Sequence, residues 1–208
     1  MTAPVYILEG AWDETLEASQ ILPYFLAYAG SHREVKVHHR TIRNAEDIAY
    51  YVARIPKGSQ AFLYIACHGE PGLLDPSDGR SKVPLEAVVT GLESAKERSV
   101  SFLHFGCCEF LKTSQRRRTL ARLAGATNSM WASGYTKDVD YLSSTLFDLA
   151  LVSEVYVPWR AAPGKKKQAQ KAARDFYAAY SQLAKSLGFS AITSLSGNEV
   201  LFPPKVRG

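Results

Sequence analysis

The sequence has 208 residues and a mass of 22.9 kDa, with 46% hydrophobic and 22% charged residues. This is a globular composition, long enough to bury a full core without disulfides or metals as staples. Lys and Arg number 25 against 20 Asp and Glu, a formal charge of +5, well short of a dedicated nucleic-acid binder. Three Cys, two of them adjacent, make no disulfide framework and read as thiols of a reducing, cytoplasmic compartment. No stretch approaches the roughly 20 apolar residues of a membrane helix, and the opening MTAPVYILEG lacks the charged and apolar regions of a signal peptide.

Strand and helix patterns alternate along the chain. Residues 5–10 form a short apolar strand ending in Gly. A helix follows from Asp13, with Leu16, Leu22, Phe25, Leu26 and Ala29 on one face, and Pro23 should kink or restart it. Residues 34–42 alternate as a half-buried strand; its His38 and His39 point to opposite faces. Asn44 caps a helix carrying Ile48, Tyr51, Val52 and Ile55, and Lys57-Gly58 stops it. The apolar run AFLYIAC, residues 61–67, reads as a central strand covered on both faces. The Gly/Pro/Asp-rich residues 69–80 read as irregular surface.

Pro84 suits the first turn of a helix reaching about residue 97. A second central strand is VSFLHF, residues 100–105, whose His104 is expected to be a satisfied buried histidine. A basic helix at 114–123, a strand at 128–133 and the loop GYTKDVD come next. Residues 141–157 are apolar on nearly all sides and predict one buried helix. Residues 164–187 predict a long amphipathic helix, and 191–202 a last strand before Pro203-Pro204 and a basic tail. The pattern predicts one domain over 1–208: a three-layer α/β/α sandwich with a mostly parallel central sheet of about six strands.

In parallel α/β sheets, reactive groups gather beyond the carboxyl ends of the strands. Two strand ends carry them here, AFLYIAC followed by His68-Gly69, and VSFLHF followed by Gly106, Cys107, Cys108 and Glu109. Forty residues separate His68 from Cys108, room for one loop, one crossover helix and one strand, so the two strands can be neighbours. A Cys attacking a carbonyl needs a base or a lowered pKa, and a His titrating near neutrality supplies the base. Gly69 lets a substrate backbone approach, and its N–H can help bind a developing oxyanion.

ACHGEPG and LHFGCCE resemble the His-Gly segment and the nucleophile strand of caspase-like cysteine peptidases, closest in look to bacterial CHAT-type peptidases. Where caspases read Gln-Ala-Cys-Arg/Gln/Gly-Gly, this chain has Gly106-Cys107-Cys108-Glu109-Phe110. The resemblance implies a cysteine endopeptidase with Cys108 as nucleophile and His68 as general acid/base. The N–H groups of Gly69 and Cys108 would form the oxyanion site, and neither metal nor organic cofactor is implied. It places the pocket for the residue before the cleaved bond near residues 134–140, where Asp138 or Asp140 would receive a basic side chain. On the chain's own pattern, Glu70 and Asp75 read equally as substrate-orienting or simply exposed residues, and Trp131 and Tyr135 as a pocket wall or, as is usual for aromatics near a strand end, as core.

Each assignment has a plainer alternative. Cys67 and Cys107 read as packed apolar residues, with Cys107 also an alternative thiol. Asp140 reads equally as the cap of the following helix. The runs Arg116–Arg118 and 165–167 read mainly as solvated surface, leaving nucleic acid an unfavoured partner. The partners expected are a protein or peptide substrate, a regulatory protein and a second copy of the chain. Two other functions stay open: a non-catalytic interaction module on the same fold, and a metal-dependent hydrolase using Cys67, His68, Cys107 and Cys108. A cleft filled by Phe110 or Trp131 would favour the interaction module.

Overall fold

The computed structural model describes residues 2–12, 19–77, 79–161, 166–193 and 200–202, without the side chains of 166–169 and 200–202. Ten strands and eight helices lie within them. The strands are β1 (Ala3–Glu9), β2 (Val35–Thr41), β3 (Ala61–Ala66), β4 (His68–Glu70), β5 (Leu73–Asp75), β6 (Val83–Pro84), β7 (Val100–Phe105), β8 (Trp131–Tyr135), β9 (Phe189–Thr193) and β10 (Val200–Phe202). The helices are α1 (Leu22–Ser31), α2 (Ala45–Val52), α3 (Leu85–Leu92), α4 (Arg116–Thr127), α5 (Tyr141–Leu151), α6 (Val157–Ala161), α7 (Lys166–Ala179) and α8 (Ser181–Leu187).

Seven strands form the main sheet in the order β10-β9-β8-β7-β3-β1-β2. Pairing is parallel from β2 to β8 and antiparallel at β8–β9 and β9–β10. β3 and β7 are buried along their whole length, as expected of strands with both faces covered. One core holds α1, α5, α7 and α8 against the sheet through Phe25, Phe62, Phe102, Trp131, Phe147 and Phe176. The other holds α2, α3 and α4 through Ile48, Leu63, Val88, Leu103, Leu120 and Leu123. The α/β/α sandwich expected from the alternating pattern is therefore present. Among the described residues no helix is long and apolar enough to cross a membrane.

Several elements differ from expectation. Pro23 lies in the first turn of α1 and starts that helix; residues 13–18 lie outside the described part. The segment after His68 is not irregular, since β4, β5 and β6 form a small antiparallel sheet. Asn128 is the left-handed cap of α4, with φ +51°, and not the start of a strand. The expected single helix over 141–157 breaks into α5, a π-helical turn at Val152–Tyr156, and α6. There the Val157 N–H bonds five residues back to Val152, and Pro158 next to it has no N–H to continue an α-helical ladder. Leu142 and Leu146 of α5 are half exposed, not buried. The amphipathic stretch after residue 164 forms two helices, α7 and α8, ended by Gly188 at φ +65°. The basic run 165–167 falls outside the described side chains, as does the tail from Pro203.

A polar network ties the sheet to α5. Asp148 is fully buried and accepts hydrogen bonds from the Tyr64 hydroxyl at 2.5 Å and from the Tyr135 hydroxyl. His104 Nε2 stands 2.6 Å from Asp148 Oδ1 without hydrogen-bond alignment. Its Nδ1 meets Ser133 Oγ at 2.7 Å, which also accepts from the Trp131 indole. His104 is thus buried as expected and hydrogen-bonded at Nδ1, while its Nε2 makes only the ionic approach to Asp148. Burial, then the Asp148 charge, push both tyrosines well above their ordinary pKa. Asp148→Ala would leave the buried Tyr64 hydroxyl without an acceptor and Tyr135 with only the longer 3.4 Å bond to Ser144 O, and should cost about 3 kcal/mol, read by urea unfolding.

Candidate active site

Parallel pairing of β3 with β7, in register up to Ile65↔Phe105, brings the two reactive strand ends side by side. Past β7 the chain reverses sharply. Glu109 adopts φ +51°, a left-handed conformation costing a non-glycine residue about 1 kcal/mol. The Glu109 N–H then bonds Lys137 O and the Leu111 N–H bonds Tyr135 O, both at 2.9 Å. Cys108 sits at the apex of this reversal, half-buried, while Phe110 behind it is packed in the core with Phe105.

Gly69 lies directly against the Cys107-Cys108 segment. A Cβ there would come within 2.5 Å of the Cys108 carbonyl oxygen and 3.0 Å of Cys107 Cβ. Only glycine permits this approach of the two strand ends. Gly106 has a similar reason, since a Cβ there would overlap the Tyr64 ring.

His68 and Cys108 line one cavity of about 290 Å³, together with Trp12, Tyr64, Asp138 and Tyr141 among others. Neither Phe110 nor Trp131 fills it. His68 is exposed, its Nε2 lies 2.9 Å from the Trp12 carbonyl, and its ring meets the Trp12 indole edge-on at 5.4 Å. The Cys108 thiol points to Val139 O at 3.9 Å. Burial raises its pKa to about 11, with a backbone hydrogen bond at Val139 opposing the rise and Asp138, within hydrogen-bond reach, adding to it.

Of the other candidates, Asp138 borders the cavity. Asp140 caps α5 by accepting the Ser143 N–H at 2.8 Å, the alternative reading of that residue. Glu70 is exposed and paired with Lys82. Asp75 accepts the Gly79 N–H. Tyr135, expected on a pocket wall, is wholly buried and holds Asp148 instead. Among the described residues no three His, Cys, Asp or Glu side chains converge as a metal ligand set requires.

Sequence reasoning missed Glu9. It ends β1 at 2% exposure. Its carboxylate accepts from the Trp12 indole at 2.7 Å, the Gln20 N–H at 2.8 Å, the Ile21 N–H at 3.0 Å and the Ser19 hydroxyl, and faces His39 Nε2 at 2.8 Å. Desolvation alone would raise its pKa, but the hydrogen bonds from His39, Ser19, Ile21 and Trp12 bring it below the ordinary carboxylate value. Glu9 thereby fixes the wall made by Trp12, Gln20 and Ile21, and the Trp12 carbonyl in turn fixes His68. The visible signal was an acidic residue closing an otherwise apolar strand, VYILE.

No family model and no curated protein matches the sequence. Among solved structures, the chain is similar to caspase-1 from Spodoptera frugiperda at 13% identity, with a TM-score of 0.44, over 74% of this chain and 68% of that one. A likeness this distant carries no argument about the site.

Two outcomes test this geometry. Gly69→Ala should cost about 2 kcal/mol in urea unfolding, because the new methyl meets backbone that cannot swing aside. Because Glu9 is depressed in the folded state, its contribution is full above the ordinary carboxylate pKa and is lost as pH falls through its lower folded value. The stability margin of the wild type over Glu9→Gln should therefore shrink between pH 6 and about pH 3, read as unfolding midpoints across that range.

Proposed function

We propose that this chain is a cysteine endopeptidase of the caspase-like type, in the compact CHAT-like branch its two motifs resemble, acting on protein or peptide substrates in the cytoplasm. The reading rests most on one observation: His68 and Cys108 border the same open cavity, at strand ends packed together through Gly69.

The Trp12 carbonyl can only accept, so His68 Nε2 carries its hydrogen there and Nδ1 is left to exchange a proton. As Cys108 Sγ attacks the substrate carbonyl carbon, the thiol proton passes to His68 Nδ1. The oxyanion takes hydrogen bonds from the N–H groups of Gly69 and Cys108. Collapse of the tetrahedral adduct breaks the C–N bond, the leaving amine takes the proton from His68, and a thioester remains. Water then attacks the thioester, giving its proton to His68, and the Cys108 thiol is restored.

With a pKa near 11, Cys108 rests as a thiol at neutral pH, so lowering that pKa would ease the passage of its proton to His68. Asp138 supplies the means. Its negative charge disfavours the thiolate. A Lys or Arg side chain of the substrate, seated in the cavity against Asp138, would neutralise that charge and lower the thiol pKa as the scissile bond arrives. Recognition of a basic residue and activation of the nucleophile become one event.

On fluorogenic peptides carrying Arg or Lys before the reporter, Cys108→Ala and His68→Ala should each lower kcat/KM by at least about a thousandfold, with Cys107→Ala within a few-fold of wild type. Activity lost in Cys107→Ala and kept in Cys108→Ala would exchange the two thiols. Asp138→Asn should split two readouts: cleavage after Arg or Lys falls about tenfold or more, while iodoacetamide alkylation of Cys108 at pH 7 speeds up because the thiol pKa falls. Both rates falling together would remove Asp138 from this scheme.

A further inference from the structure

Beneath the dyad lies a pair of sulfurs that the proposed reaction does not use. The β3–β7 register continues past the strand ends, where the Gly106 N–H bonds Ile65 O at 2.9 Å. Cys67 and Cys107 then face each other across the two chains. Both are fully buried, and their Sγ atoms are 3.6 Å apart. Strands pair at about 4.8 Å, inside the Cα separation of about 4.4–6.8 Å that a disulfide accepts. The Cys107 thiol also donates to Ile65 O at 3.4 Å. Gly10 closes over the pair, since a Cβ there would lie 2.7 Å from Cys67 Cβ.

We propose that Cys67 and Cys107 form a dithiol modification site that a peroxide oxidises to a disulfide, tying the His68 segment to the Cys108 segment. In the first step one thiol takes an oxygen from hydrogen peroxide, giving a sulfenic acid and one water. In the second, the partner sulfur attacks that sulfur and a second water leaves. Two thiols and one peroxide thus become one disulfide and two waters. The sulfurs close from 3.6 Å to about 2.05 Å.

Placement gives the bridge its meaning. Cys67 and Cys107 each immediately precede a member of the proposed dyad, so any movement of the sulfurs passes through one peptide bond to His68 and to Cys108. Gly69 is already in contact with the Cys108 carbonyl, so the segments cannot slide past each other to absorb the change. The disulfide would set the spacing of the dyad covalently and reversibly. Burial, reinforced by the Cys67 thiol, pushes the Cys107 thiol well up, so oxidation should be slow at neutral pH and quicken as pH rises. The functional meaning rests on the peptidase reading; the chemistry does not.

The test uses the full chain carrying Cys108→Ala, which removes the half-exposed thiol. It is treated with hydrogen peroxide, unfolded, alkylated with iodoacetamide and measured by intact mass and peptide mapping. The expected product has lost about 2 Da, takes up no alkyl groups and contains a peptide pair joining Cys67 to Cys107 that dithiothreitol separates. Its unfolding midpoint should exceed that of the reduced chain, because the bridge closes a loop of 40 residues. Adding Cys67→Ala should abolish the product. Two alkylated thiols, or sulfinic acids about 32 Da heavier, would overturn the proposal. With cleavage assayed on the wild-type chain, a bridge in the variant but no cleavage by the wild type would sink the peptidase reading alone, and cleavage by the wild type without a bridge in the variant would sink this inference alone.

Discussion

Hydrogen bonding between β3 and β7 is the constraint from which the site follows. The two strands are parallel and, after an irregularity between Ala61 and Phe62, in register from Phe62↔Phe102 to Ile65↔Phe105, so whatever follows one must lie beside whatever follows the other. Here the followers are Cys67-His68-Gly69 and Gly106-Cys107-Cys108. A slip of one residue would turn each side chain to the opposite face. The thiols of Cys67 and Cys107 would separate, and His68 would leave the cavity that Cys108 borders. Burial of both strands on both faces makes such a slip costly, so the same aliphatic residues that build the two cores also set the chemistry at their edge.

Around that pair, positioning is delegated to polar groups buried in the sheet. Glu9 gathers the wall of Trp12, Gln20 and Ile21 by accepting from two backbone N–H groups and two side chains. Asp148 does the same beneath the cavity, fixing Tyr64 as its floor. Both carboxylates lie within 2% exposure, where an unpaired charge would be severely penalised. Their partners are therefore conditions of folding as well as supports of the cleft. His68 is oriented by a backbone carbonyl, which any residue at position 12 would offer; what is particular to Trp12 is the indole that anchors that backbone to Glu9.

The layer order, the two central strands, and His68 and Cys108 at their ends were legible in the sequence because each rests on a local signal, an apolar run of strand length closed by small or reactive residues. The elements that were misread depend on distant partners. Residues 69–80 looked irregular because their strands are two or three residues long and pair only with each other. The break after Leu151 looked continuous because a π-helical turn leaves the apolar pattern intact while changing the hydrogen bonds. Tyr135 was placed on the pocket wall by its position near a strand end, but its hydroxyl finds its acceptors, Asp148 and the Ser144 carbonyl, in the core on the following helix. Glu9 went unnoticed because its donors, residues 12, 19, 20, 21 and 39, become neighbours only when the chain folds.

The outer strand β2 gives part of the positive charge a physical use. It ends the sheet and leaves a row of backbone groups able to template a foreign strand. Lys36 and Arg40 project from the same face of it, with His38 between them, and burial beside these two cations holds the His38 pKa below its ordinary value. A second strand of like sequence approaching this edge would set cation against cation with little intervening carboxylate. The chain thus carries, on the side of the sheet away from β10, an electrostatic guard against edge-to-edge aggregation, maintained by ordinary lysine and arginine at the spacing of the pleat.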